Sequence, residues 1–126
     1  MDRSAKQWQS LLSDVRRQPA AIPSHEGGDD GLVRSVPAWV ARVRILPVGR
    51  REWWLLCERR SGSGRPASGQ FVFAAGPGRY VLDTHDPATG ACIAKESAEG
   101  GPIVAGLTCP GRAVLVHVRR VALRSQ

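Results

Sequence analysis

Lysine is nearly absent from this chain: only Lys6 and Lys95 occur among 126 residues, and the other sixteen basic residues are arginines. The arginines are scattered or paired at element ends, as in Arg16-Arg17, Arg50-Arg51, Arg59-Arg60 and Arg119-Arg120. The formal charge of +7 therefore reads as a solvated basic surface more readily than as a phosphate-binding stripe. Three cysteines, Cys57, Cys92 and Cys109, show neither a CxxC pair nor Cys/His ligand spacing, so neither a metal site nor a cofactor is expected. Cys92 and Cys109 can be drawn facing each other across neighbouring strands, but buried free thiols are the favoured reading. No segment approaches the roughly 18 apolar residues that span a bilayer, and Met1 to Lys6 carries no apolar run. No membrane association and a cytoplasmic location are the expectation. No Gly-x-Ser-x-Gly elbow occurs. Gly76-Pro77-Gly78 and Gly100-Gly101-Pro102 lack the following helix and lysine of a phosphate loop.

What the chain does contain is enough apolar residue, 42% of 126, for one ordinary domain and not for two. Ser4 is placed to cap a helix running to about Arg17, in which Trp8, Leu11, Leu12 and Val15 repeat at i, i+3, i+4 and i+7. Pro19 ends it, and residues 19–36 read as a connector, with Pro23, Gly27, Gly28, Asp29, Asp30 and Gly31 giving it an irregular first half. A helix this short must dock its apolar stripe, either on the rest of the chain or on another chain.

From Pro37 the period changes to two. Trp39, Ala41, Val43 and Ile45 alternate with Val40, Arg42, Arg44 and Leu46. In Glu52 to Glu58 the residues Trp53, Leu55 and Cys57 share one face and Trp54 and Leu56 the other, so both faces look covered. Ser61 to Gly69 reads as a low-complexity loop. Gln70 to Ala74 and Arg79 to His85 read as a hairpin through Gly76-Pro77-Gly78. In Arg79 to His85, Tyr80, Leu82 and Thr84 share a face, and Asp86-Pro87 opens a turn that Gly90 closes with positive φ. Strands at Ala91 to Glu96, Ile103 to Leu107 and Arg112 to Val121 complete the set. In the last, Val114, Val116 and Val118 face inward and Leu115 and His117 outward. About seven short strands with turns every ten residues or so predict an all-β fold, an antiparallel β-sandwich over residues 37–126 with one N-terminal helix within residues 1–18.

The order of these elements resembles the β-sandwich accessory domain that follows the (β/α)8 barrel in many glycoside hydrolases. The parts that carry the likeness are Gly78, Tyr80 and Leu82, then Asp86, Pro87, Thr89 and Gly90, then Gly101, Pro110 and Val114 to Val118, over about Pro37 to Val121. Trp8, Leu11 and Leu12 are similar to a last barrel helix leading through a Pro-bearing connector. The resemblance brings no catalytic residues, because the acid and nucleophile of those enzymes stand on barrel strands that have no counterpart in this chain. It implies an accessory domain or small subunit docking on a larger glycoside hydrolase catalytic chain. The interface would be Trp8, Leu11, Leu12, Val15, Trp54 and Leu56.

Two other classes stay open. A free-standing binding module would take carbohydrate through Trp39 and Trp53 with Asp83 and His85, or nucleic acid through the arginines. Trp53 and Trp54 cannot both enter one core layer; the one outside is an interface residue, is covered by the helix or faces a sugar. A small enzyme would use Asp83, His85 and Asp86, although Asp86 before Pro87 reads first as turn chemistry. Ser24, His25 and Glu26 read as a solvated loop, and His117 as a surface or interface residue.

Overall fold

The computed structural model describes residues 5–19, 33–60 and 65–121. Its elements are α1 (Ala5–Arg16), β1 (Val33–Ser35), β2 (Val40–Gly49), β3 (Glu52–Arg59), β4 (Ala67–Phe73), β5 (Arg79–His85), β6 (Cys92–Glu99), β7 (Ile103–Cys109) and β8 (Ala113–Val121). A five-stranded sheet in the order β2-β3-β8-β5-β6 faces a three-stranded sheet in the order β1-β4-β7, and all pairings are antiparallel. The described residues adopt the expected all-β architecture with one N-terminal helix. Among the described residues no helix is long and apolar enough to cross a membrane.

Parity along each strand sorts the side chains. Leu55 and Cys57 of β3, Val114, Val116 and Val118 of β8, and Tyr80 and Leu82 of β5 enter the space between the sheets. Phe71 and Phe73 of β4 and Ile103, Ala105, Leu107 and Cys109 of β7 meet them there. The alternate residues of β3 and β8, Trp54, Leu56 and Leu115, point the other way and form a second apolar cluster with Trp8, Leu12 and Val15 of α1. Each such side chain contributes about 1.5–3 kcal/mol on burial, which an isolated helix of twelve residues needs in order to persist. β3 is thus buried on both faces because the helix supplies a third layer.

Arg44 fastens the far end of that layer. Its Nη1 donates to the carbonyl oxygens of Arg16 (3.1 Å) and Gln18 (2.8 Å), and its Nε donates to Glu58 Oε1 (2.9 Å). A strand side chain so caps the last carbonyl of the helix and one in the turn that follows it. Ser4, the expected cap at the other end, lies outside the described residues.

The structure departs from the sequence reading in four places. First, β4 and β5 do not form a hairpin: β4 pairs with β1 and β7, β5 with β6 and β8, and residues 74–78 carry the chain from one sheet to the other. Tyr80 Oη donates to the Gly76 carbonyl (3.0 Å), Arg51 Nη1 to the Pro77 carbonyl (3.1 Å) and the Gly100 amide to the Gly78 carbonyl (2.6 Å). These contacts hold the crossing so close that a Cβ on Gly100 would overlap the Gly76 carbonyl oxygen. Second, Ala67–Gly69 belong to β4, not to a loop, because β7 offers a full ladder to them (Ala67 to Cys109, Gly69 to Leu107). Third, a short eighth strand, β1, stands inside the expected connector and pairs with the end of β4. Fourth, all three cysteines are free, but Cys92 is exposed on the edge strand β6 while Cys57 and Cys109 are buried. Residues 20–32, with Ser24, His25 and Glu26, lie outside the described residues, as do residues 61–64.

Candidate functional site

The helix does not reach across the whole outer face of the five-stranded sheet. Cross-strand register lines up Leu46, Trp54, His117, Asp83 and Lys95 in one row, and Leu56, Leu115 and His85 in the next. α1 covers the aliphatic and Trp54 part of these rows. Beyond it an open cavity of about 670 Å³ is walled by Trp8 and Gln9 of α1, by Asp83, His85 and His117 of the sheet, and by the β5–β6 turn. That volume is in the range of small-molecule sites, about 300–1,000 Å³.

The turn is built as its residues dictate. Asp86 Oδ1 accepts the Ala88 amide (2.9 Å), the Asp86 carbonyl accepts the Gly90 amide (2.7 Å), and Gly90 sits at φ 82°, where a side chain is strained. Asp86 therefore serves the turn, and its side chain is absent from the cavity wall. Trp8 Nε1 donates to the Pro87 carbonyl (3.0 Å), so the helix holds the turn in place. The β5–β6 turn is in this way a fixed wall of the cavity.

The inner wall is aromatic. The rings of Trp54 and His117 stack at 4.0 Å with 2° between their planes, and Trp8 meets Trp54 edge-on at 6.2 Å. His85 lies between the indoles, 5.4 Å from Trp8 and 5.8 Å from Trp54. His117 Nε2 and Glu52 Oε2 are 2.6 Å apart. Because a carboxylate accepts, Nε2 carries the proton. His85 Nδ1 lies 3.3 Å from the Gly90 carbonyl, which fixes that ring's proton on Nδ1 for the same reason. Burial lowers the pKa of His117 and the charge of Arg119 adds to this, against the hydrogen bond and charge of Glu52 and the charge of Asp83.

Asp83 is the buried carboxylate of the wall, 9% exposed. Its Oδ1 accepts no hydrogen bond, and Lys95 Nζ stands 3.9 Å from it on an exposed side chain. That distance is an ion pair and too long for a hydrogen bond. Among the described residues no three His, Cys, Asp or Glu side chains group as metal ligands.

The expected site residues are distributed differently from the sequence reading. Trp53 packs on the inner face against Phe73 (5.0 Å, edge-on) and Tyr80 (6.4 Å), and Trp39 packs on the same core with Nε1 donating to the Ser68 carbonyl (3.0 Å). Asp83 and His85 are on the opposite face of the sheet, so the four do not make one carbohydrate site. Parity is the reason: the row of Trp53, Val118 and Leu82 is the inner one. The proposed interface residues Trp8, Leu12, Val15, Trp54 and Leu56 are buried against one another within the chain, and Leu11 is partly buried beside them. The uncovered face on which that docking surface depended is the one α1 occupies. Trp8, Trp54 and His117 are the cavity residues that sequence reasoning assigned elsewhere. The signal available for them was the shared outward parity of Trp54, Leu56, Leu115 and His117, but which strands adjoin was not readable.

No protein-family model matches the chain, and neither a curated protein nor a solved structure matches it.

Proposed function

We propose that this chain is a small-ligand-binding β-sandwich module and that its site is the cavity between α1, the β5–β6 turn and the outer face of the five-stranded sheet. One observation carries the reading: Asp83, a buried carboxylate whose enclosed Oδ1 accepts no hydrogen bond, is one of the residues that line an open cavity. Buried polar atoms without a hydrogen bond are rare in folded proteins because desolvating them is costly, and one on a residue beside a cavity marks a candidate ligand site. The aromatic and imidazole rings beside it give the mixture of apolar wall and a few convergent polar groups that small-molecule sites use.

The order of strands and turns is what speaks for a glycoside hydrolase accessory role; the docking surface drawn for it, Trp54 and Leu56 together with the helix stripe, is packed between α1 and the sheet. The arginines give little support to a nucleic-acid reading. Arg44, Arg51, Arg59 and Arg60 each donate to backbone carbonyls and act as staples between elements.

The test is a titration of 15N-labelled protein with methyl glycosides, nucleosides, amino acids and simple amines. The expected result is saturable shifts, from at least one class, confined to Asp83, His85, the amides of residues 88–92 and the Trp8 indole. Shifts centred on Trp39 and Trp53, or none at the cavity from any class, would refute the assignment.

A further inference from the structure

The hydrogen-bond directions around the cavity say what kind of ligand it fits, and this inference rests on the binding reading above. Four donors on wall residues are turned onto acceptors of the protein itself. Trp8 Nε1 donates to the Pro87 carbonyl, His85 Nδ1 to the Gly90 carbonyl, His117 Nε2 to Glu52, and the Cys92 thiol to the Ala94 carbonyl (3.4 Å). With those nitrogens donating, the nitrogen left to either imidazole in its neutral form is an acceptor. Asp83 adds a carboxylate whose Oδ1 accepts nothing. On the sheet side the wall therefore offers acceptors beside the Asp83 carboxylate, while on the helix and turn side its side-chain donors outside those four are the Gln9 amide and the Thr89 hydroxyl; Glu52 stands behind His117.

We infer that the cavity takes a small organic cation, a primary alkyl- or arylammonium whose charged head lies at Asp83 and whose apolar body lies beside Trp8 and Trp54. An ammonium brings three donors and no acceptor, which is the complement of this wall. An anion would meet the Asp83 carboxylate. A sugar would find no open ring to stack on, because Trp54 is 3% exposed with its face against His117 and its neighbour Trp8 edge-on. Lys95 already shows the preference in miniature: its ammonium stands 3.9 Å from Asp83 Oδ1, next to the position the ligand head would take.

The experiment titrates the intact 15N-labelled protein separately with benzylammonium, n-butylammonium, benzyl alcohol, benzoate and methyl glucoside. The ammonium ions are expected to give saturable shifts at Asp83, His85, Gly90 and the Trp8 indole, at least about tenfold tighter than benzyl alcohol or benzoate, the difference that charge-assisted hydrogen bonds typically make. Asp83→Asn should abolish that preference. Lys95→Ala, at an exposed position, should tighten the ammonium ions by about threefold by removing the internal competitor, and it provides a readout should Asp83→Asn fail to fold. Three results would overturn the inference: no saturable shift from either ammonium ion, equal affinity for benzylammonium and benzyl alcohol, or unchanged ammonium affinity in Asp83→Asn. If benzyl alcohol or methyl glucoside saturates the cavity while the ammonium ions do not, the cation inference fails and the binding site stands. If every probe binds elsewhere, both fail.

Discussion

Replacing Leu12 by alanine separates the helix from the sandwich. Leu12 is 2% exposed and sits among Trp8, Val15, Trp54, Leu56 and Leu115, a cluster that α1 closes over the sheet. The substitution removes three buried carbons at about 0.8 kcal/mol each, and comparable core truncations cost about 2–5 kcal/mol once the residual cavity is included. A helix lying on an outer face can settle inward, which places the cost at the lower end, about 2–3 kcal/mol. The loss should fall on α1 first, because twelve residues form a marginal helix without their docking energy, whereas the inner core of the sandwich does not involve Leu12. Hydrogen exchange should therefore accelerate in α1 well before β3 and β8 lose protection, and Trp8 and Trp54 fluorescence should shift to the red. Leu11→Ala is the control: one residue away but turned about 100° around the helix and only partly buried, it should cost about 1 kcal/mol or less. Equal destabilisation by the two variants, or uniform loss of protection through the sandwich, would refute a separately docked third layer.

Arg44→Lys should fray the last turn of α1 and cost about 1–2 kcal/mol, since one ammonium cannot span the Arg16 and Gln18 carbonyls and Glu58 together; faster exchange of the Arg17 and Gln18 amides checks this. Thiol titration of the native protein should count one reactive group, Cys92. Cys57, whose thiol is pushed up to about 12 by burial, and the buried Cys109 should react only after denaturation. Gly100→Ala should prevent native folding or cost more than about 3 kcal/mol, because its Cβ would overlap the Gly76 carbonyl oxygen and the Tyr80 ring at the sheet crossing; a urea midpoint near that of the parent would contradict the crossing. With the folded-state pKa of His117 below its unfolded value near 6.5, the unfolded chain binds the extra proton first, so the His117 contribution is complete above that pH and is lost as pH falls below it. Urea midpoints at about pH 7 and 5.5 should drop less in His117→Gln than in the parent.

The periodicities of the chain were sufficient for the local structure. The i, i+3, i+4, i+7 stripe made α1, strict alternation made β3 and β8 with both faces apolar, and Asp86-Pro87 with Gly90 made the β5–β6 turn. These features depend on the residue and its near neighbours, which is why they are legible. The sandwich class followed from them. Which strands adjoin did not, because Gly76-Pro77-Gly78 suits a hairpin and a crossing equally, and the choice lies with long-range partners: Tyr80 and Arg51 hold the crossing and β7 draws in Ala67–Gly69. Nor did the site. Asp83 and His85 were visible as polar residues leaving one face of a strand, but only register set Trp54, His117 and Asp83 in one row. Only the docking of α1 decided that the outward face of β3 would be covered by the chain's own helix and that the uncovered end of that row would be a cavity. Parity is written in the sequence. Which element covers a face is decided by the free energy of burying it, and that depends on every surface the folded chain brings within reach.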